Sequence, residues 1–176
     1  MRWKIALLAL LLASLLFGVR SPEAASADGD KYDQSKVPLE IEPTDPSLAK
    51  IVLVAGRRSH GPMDHEFFAG SALLMKLLQQ TPGVFPVMVR DGWPKNEKIF
   101  QGAKAVVFYM DGGSGHPLIQ QGRLGQFQKY IDQKVGFVNL HYAVEYPKSQ
   151  SDHVLNWLGP LGGWLFRRGM YKQYYQ

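Results

Sequence analysis

A short, uninterrupted apolar run, Ile51-Val52-Leu53-Val54-Ala55-Gly56, most constrains the fold of this chain. The run is rich in β-branched residues and has no polar alternation, which is typical of a parallel strand buried on both faces. Similar runs recur at 84–89, 103–110 and 135–140. The sequence therefore predicts four strands of a sheet that is covered on both sides.

Helical patterns lie between and after these runs, at 64–80, 96–101, 117–133 and 151–158. The first helix is expected to begin with Asp64 as its N-cap. Its inward stripe is predicted to consist of Phe68, Leu73, Leu74, Leu77 and Leu78. Strands that alternate with helices predict an α/β three-layer sandwich with a mainly parallel, flavodoxin-like sheet.

The N-terminal residues have the pattern of a secretory signal peptide. Arg2 and Lys4 precede an apolar run from Ile5 to Val19, whose 15 residues fall short of the roughly 20 that span a membrane. Ala25-Ser26-Ala27 then supplies a small-residue cleavage signal. We expect cleavage after Ala27 and an exported protein, periplasmic or secreted, with no stable membrane anchor. An uncleaved N-terminal anchor is the alternative.

Residues 28–49 are polar and rich in proline, and they are expected to form a disordered leader before a domain over 50–176. Without residues 1–27 the chain has 17 basic and 14 acidic residues, a net charge of +3. That small excess gives no support to a nucleic-acid partner, which would need a basic stripe. The absence of cysteine excludes disulfides, zinc–thiolate sites and a cysteine nucleophile.

Polar residues follow three of the predicted strands at the point where each strand ends. In open α/β sheets, ligands bind beyond the carboxyl ends of the strands, so these loops are expected to meet. Their imidazoles and carboxylates are groups that bind zinc or another divalent metal, or that transfer protons. The set comprises His60, His65, Glu66, Asp111, His116, His141 and Glu145.

Two interpretations of this set stay open. It can hold a divalent metal such as zinc through His60, His65 and His141, or it can form a hydrogen-bonded cluster without metal. Several familiar motifs are absent from the chain, including HExxH, a glycine-rich dinucleotide loop, a phosphate-binding lysine loop and a nucleophile elbow of the GxSxG type. Single residues of the set, taken alone, are compatible with structural roles.

Several separated motifs, in order, resemble the trehalose-utilisation (ThuA-like) family. They are Ser59-His60-Gly61 with His65-Glu66, Asp91-Gly92-Trp93-Pro94, Asp111-Gly112-Gly113 with His116-Pro117, and Leu140-His141-Tyr142-Ala143-Val144. The resemblance covers about Lys50 to Gly159 and implies a fold related to class I glutamine amidotransferases. In those enzymes a cysteine stands on the sharp turn after a central strand, where this chain has His141.

The resemblance implies a sugar or disaccharide derivative as the ligand. His141 is the expected catalytic residue, with Glu66 or Glu145 as the assisting carboxylate. Ligand binding falls on Ser59, His60, Asp111, Gly112, Gly113, His116 and Tyr142. The resemblance fades at Gly159, whereas family domains usually continue, so three alternatives stay open: a truncated, a frameshifted or a genuinely short C-terminus. Three hypotheses therefore remain: a sugar-active enzyme, a non-catalytic module that binds a carbohydrate or partner, and an inactive truncated copy. The tail is also compatible with a homodimer.

Overall fold

The computed structural model describes residues 33–158, and the backbone of two further strands at 162–167 and 170–175. Its main sheet has four strands, all parallel, in the order β2-β1-β3-β4. The strands are β1 (Ala49–Ala55), β2 (Val84–Val89), β3 (Ala105–Tyr109) and β4 (Gly136–Leu140). Each apolar run of the sequence thus forms one strand, with its ends within two residues of the prediction.

Among the described residues, three α-helices accompany the sheet: α1 (Phe67–Leu78), α2 (Arg123–Asp132) and α3 (Ser151–Leu158). Short 3₁₀ turns occupy Glu97–Phe100, Gly113–Gly115, Pro117–Ile119, His141–Val144 and Lys148–Gln150. The predicted helix over 117–133 is therefore interrupted. The interruption lies at Gln121 and Gly122, which both have positive φ, 54° and 71°. Such angles are incompatible with a continuous right-handed helix.

Side chains that alternate along β1 divide the core between the two faces of the sheet. Leu53 and Ala55 pack with Phe67 and Met75 of α1. Val52 and Val54 belong to the larger core on the other face, which α2 and α3 cover through Phe127 and Val154, among others. This arrangement confirms the predicted three-layer α/β sandwich with a parallel, flavodoxin-like sheet.

The predicted inward stripe of α1 is wrong in part. Leu73 and Leu77 are 60% and 53% exposed, whereas Phe67, Ser71 and Met75 are buried with Phe68. A helix turns by 100° per residue, so a face centred on Ser71 and Met75 carries Leu73 and Leu77 away from the sheet. One face cannot bury every leucine of a nearly continuous apolar run.

The N-cap prediction for α1 is also wrong, because the helix begins two residues later than expected. Glu66 is the N-cap residue, and its side chain does not cap the helix. The Asp64 carboxylate instead accepts a hydrogen bond from the backbone N–H of Gly61. Asp64 therefore stabilises the loop before the helix and does not cap the helix.

Residues 36–48 form no helix or strand, yet they are held on the domain. The Glu40 backbone N–H donates to the Met88 carbonyl, and the Glu40 carboxylate accepts from the backbone N–H groups of Lys95 and Asn96. A disordered leader was predicted over 28–49; these contacts differ from it for residues 36–48, and residues 28–32 lie outside the described part of the chain. By its internal contacts the chain divides into residues 1–35 and 36–176.

Strands β5 (Gly162–Arg167) and β6 (Met170–Tyr175) form a separate antiparallel pair. None of the described helices is long and apolar enough to cross a membrane. The signal-peptide prediction for 1–27 lies outside the described residues.

Candidate functional site

The loop after β1 folds back on itself and brings two histidines together. Ser59 and His65 form an isolated antiparallel bridge. The Glu66 carboxylate accepts from the Met63 backbone N–H at 3.0 Å and pairs with Arg58 at 3.2 Å. His60 stands at the tip with φ of 63°, a conformation that L residues rarely adopt. The loop therefore fixes the backbone on which both imidazoles stand.

Three imidazoles lie in contact at the carboxyl edge of the sheet. The ring centroids of His60 and His65 are 4.2 Å apart, and those of His65 and His141 are 4.8 Å apart. The Tyr142 ring lies 4.3 Å from His141, and the Ser59 hydroxyl bonds Nδ1 of both His60 and His65. The structure thus brings together five of the eleven residues predicted for the site.

The loops after β3 and β4 interlock beside these imidazoles. The Gly113 backbone N–H donates to the Glu145 carbonyl at 2.7 Å. A Cβ atom on Gly112 would stand only 2.0 Å from the Tyr142 carbonyl oxygen, so the backbones touch there. Glycine is required at this close approach, which holds the adjacent Asp111 against the histidines.

Asp111 completes a group that can hold a metal ion. One ligand atom each from His60, His65 and Asp111 lies within 4.8 Å of the others. Oδ1 of Asp111 is buried, lies 3.2 Å from Nδ1 of His65 and makes no hydrogen bond in the described part of the chain. A buried carboxylate oxygen of this kind needs a proton donor or a cation. Nitrogen and carboxylate donors suit zinc, so these residues fit a divalent metal.

The trio differs from the predicted metal ligands in one member. His141 was expected as the third ligand with His60 and His65, but Asp111 takes that place. His141 lies beside the trio with its ring against His65. That position leaves it free to act on a bound molecule.

The contacts of His65 do not form a serine protease relay. In such a triad the serine and the aspartate bond opposite nitrogens of one imidazole. Here the Ser59 hydroxyl and the Asp111 carboxylate both approach Nδ1 of His65, at 2.9 and 3.2 Å. His65 is therefore not arranged to act as the general base for Ser59, as the histidine of a serine protease triad does.

His141 follows β4 directly and turns the chain sharply, with φ of 61°. Partial burial lowers its pKa, and the neighbouring His65 lowers it further, while the charge of Asp111 opposes the shift. Protonated imidazole is thus disfavoured at neutral pH. A neutral His141 on the exposed edge of the site is able to accept a proton.

His116 lies apart from this cluster. It is fully buried, its ring stands 4.5 Å from Tyr146, and its Nδ1 accepts from the Leu118 backbone N–H. Those neighbours belong to the core under α2 and α3, whereas His141 packs against Phe67 on the α1 side. His116 caps the Pro117–Ile119 turn from a fully buried position, whereas a ligand-binding role was predicted for it.

Burial lowers the pKa of His116 to about 4, although the Ala143 backbone opposes that shift. Nε2 forms no hydrogen bond of good geometry with any described residue. His116 is thus a neutral core residue at physiological pH.

The two predicted assisting carboxylates lie at the border of the site. Glu66 is engaged with Met63 and Arg58 inside its own loop. Glu145 is partly buried, and its backbone holds Gly113. Of the acidic residues near the imidazoles, Asp111 is the one in the metal-binding group.

A cleft of about 1060 Å³ has Ser59 and Asp111 in its wall. Both residues contact His65, although none of the three clustered histidines lines the cleft itself. Its other lining residues include Arg90, Trp93 and Arg123, which our sequence analysis did not assign to the site. A signal for Arg90 and Trp93 was available, because β2 is also parallel and its loop must open at the same edge.

Comparisons with protein-family models, with curated proteins and with solved structures find no match. The resemblance to the ThuA-like family accordingly stays an expectation from the motifs.

Proposed function

We propose that the protein is a carbohydrate-active enzyme, with His141 as the proton-transfer group and a divalent metal ion held by His60, His65 and Asp111. The observation that carries the proposal is a cluster of three imidazoles in ring contact beside the buried carboxylate of Asp111, whose Oδ1 lies 3.2 Å from Nδ1 of His65. Clusters of ionisable side chains beside a cleft are typical of active sites, and in this cluster partial burial lowers the pKa of His141.

The residues divide the work as follows. His60, His65 and Asp111 hold the metal, which when bound polarises an oxygen of the ligand. His141, whose pKa is lowered, accepts a proton from the ligand. Tyr142, with its ring against His141, lies beside the position of the ligand. The sugar class itself rests on the resemblance of the motifs to the ThuA-like family.

The test begins with the metal. We expect the purified protein to bind one zinc ion per chain, and His60→Ala or the nearly isosteric Asp111→Asn to weaken binding by more than about 100-fold. That exceeds the roughly 10- to 100-fold cost of losing a group that only orients a ligand. His153→Ala is the matched control, since this exposed histidine lies on α3. Absence of zinc binding by the unaltered protein would contradict the metal assignment.

Turnover is tested separately, with a panel of oxidised and unoxidised disaccharides. We expect His141→Ala to retain zinc and to lose activity by about 100-fold or more, the range of a general base. Full activity of this variant would remove His141 from the mechanism. Saturable sugar binding without turnover would instead favour the non-catalytic binding module.

We also propose that the protein is exported, since 1–27 has the signal-peptide pattern. N-terminal sequencing of the exported form should begin at Asp28. Recovery of the intact N-terminus in a membrane fraction would indicate an anchor.

A further inference from the structure

The cleft beside the histidines has an uneven distribution of charge. Five cationic side chains line it: Arg57, Arg58, Arg90, Lys95 and Arg123. Three acidic residues line it as well, namely Glu40, Asp91 and Asp111. The lining therefore carries a formal charge of +2 before any metal ion is counted.

Most of these cations have no carboxylate partner among the described residues. Arg58 pairs with Glu66, whereas no described carboxylate lies within 4.0 Å of the charged nitrogens of Arg57, Arg90 or Arg123. Two of the three acids of the cleft are also engaged elsewhere, whereas Asp91 is exposed and pairs with no described cation. Glu40 accepts two backbone N–H groups, and Asp111 faces His65.

Arg123 is held in place without a counter-charge. Its guanidinium stacks on the Trp93 ring at 4.5 Å and donates to the Pro117 carbonyl and to the Gln121 side chain. Its Nε is buried and has no hydrogen-bond partner among the described residues. Partial burial of a charge costs free energy when all of its partners are neutral. An anion that binds beside the guanidinium offsets this cost.

Arg90 is likewise oriented by an aromatic ring, because its guanidinium lies 4.4 Å over Phe68. Arg57 is exposed and lies two residues after the last residue of β1. These three arginines come from the ends of β1 and β2 and from the start of α2. Guanidinium groups match carboxylate, sulfate and phosphate oxygens through paired hydrogen bonds.

We infer that the ligand is an acidic sugar, whose anionic substituent binds at Arg57, Arg90 and Arg123 while its neutral ring faces Ser59 and Asp111. This inference rests on the proposed function, since it names the substrate class of the same site. The shared chemistry is an anionic oxygen group on a sugar ring.

The test compares matched probes on the purified full-length mature chain. Binding of glucuronate, glucose 6-sulfate and glucose 6-phosphate is measured by calorimetry against glucose. At least one acidic probe should bind more than about tenfold tighter than glucose, the equivalent of about 1.4 kcal/mol. The acidic probe that binds most tightly identifies the anionic group as a carboxylate, a sulfate or a phosphate. The preference should shrink when the salt concentration rises.

The double variant Arg57→Gln/Arg90→Gln should lose most of this preference while it keeps its zinc affinity. Lys76→Gln, an exposed cation on α1 away from the cleft, is the matched control. If glucose and the acidic probes bind equally well, or if the double variant keeps its preference for acidic probes, the acidic-sugar inference is wrong while the proposed function still stands. Failure of every sugar to bind would overturn the proposed function as well.

Discussion

His141 combines a functional side chain with an unfavourable backbone conformation. Its φ of 61° costs an L residue about 1–2 kcal/mol, whereas glycine adopts this region freely. We expect His141→Gly to abolish turnover, because the imidazole is removed. Since the side chain is exposed, the same variant should raise the free energy of unfolding by up to about 1 kcal/mol, which is the relief of the unfavourable φ minus the entropy cost of glycine. Urea denaturation measures the effect, with His141→Ala as the control that keeps the unfavourable φ. A clear loss of stability in the glycine variant would make His141 a structural residue.

His116 supplies a second prediction, on the pH dependence of stability. Burial lowers its pKa from 6.5 to about 4, so the unfolded chain binds the proton more readily than the folded one. Stability is therefore fully present above about pH 6.5 and is lost as the pH falls toward 4, by at most about 3 kcal/mol. His116→Asn keeps an acceptor for the Leu118 N–H and has no ionisable group. Urea midpoints should fall less steeply for this variant over that range, and parallel curves would contradict the assignment.

The interlocked turns after β3 and β4 show how elements build the site. A Cβ atom on Gly112 would stand 2.0 Å from the Tyr142 carbonyl and 2.5 Å from that of Glu145, and neither backbone can move without shifting a turn. We expect Gly112→Ala to cost about 3 kcal/mol, the upper part of the overpacking range, and to weaken zinc binding through Asp111. Gly115→Ala, with no atom within 4 Å of the added Cβ, should stay within about 0.5 kcal/mol of the unaltered protein in the same denaturation series. Equal stability of the two variants would be inconsistent with this close contact.

At the same scale, the elements themselves were largely predictable from the sequence. The run 84–89 and the helix 151–158 have the predicted bounds, because buried strands and amphipathic helices leave local patterns. The buried face of α1 was not predictable in detail, since it depends on where the sheet lies.

The candidate site divides in the same way. The sheet-edge rule correctly brought together the loops that carry His60, Asp111 and His141. Whether a loop histidine turns outward or into the core depends on packing that no short pattern records. His116 turned inward because its ring caps the Pro117–Ile119 turn.

At the scale of the whole molecule, the folded domain begins before β1, because Glu40 and Glu42 contact residues of the domain. The Glu40 carboxylate accepts from the Lys95 and Asn96 backbones at 2.8 and 3.1 Å, and Glu42 pairs at 2.7 Å with Lys50, which is only 6% exposed. We expect a chain that starts at Lys36 to be as stable as one that starts at Asp28. A chain that starts at Asp45 should lose about 3–5 kcal/mol, because it leaves Lys50 buried without its partner and removes the bonds of Glu40.

Point variants of the chain from Asp28 separate the two contacts. Glu42→Gln removes the charge beside Lys50, and Glu40→Gln weakens both backbone hydrogen bonds at once. Urea denaturation of each, beside the two shortened chains, assigns the loss to one contact or to both. The shorter chain should also bind sugars more weakly, because Leu39 and Glu40 form part of the cleft wall. If the chain from Asp45 is as stable as the chain from Lys36, residues 36–44 are a leader after all, and the domain begins at β1.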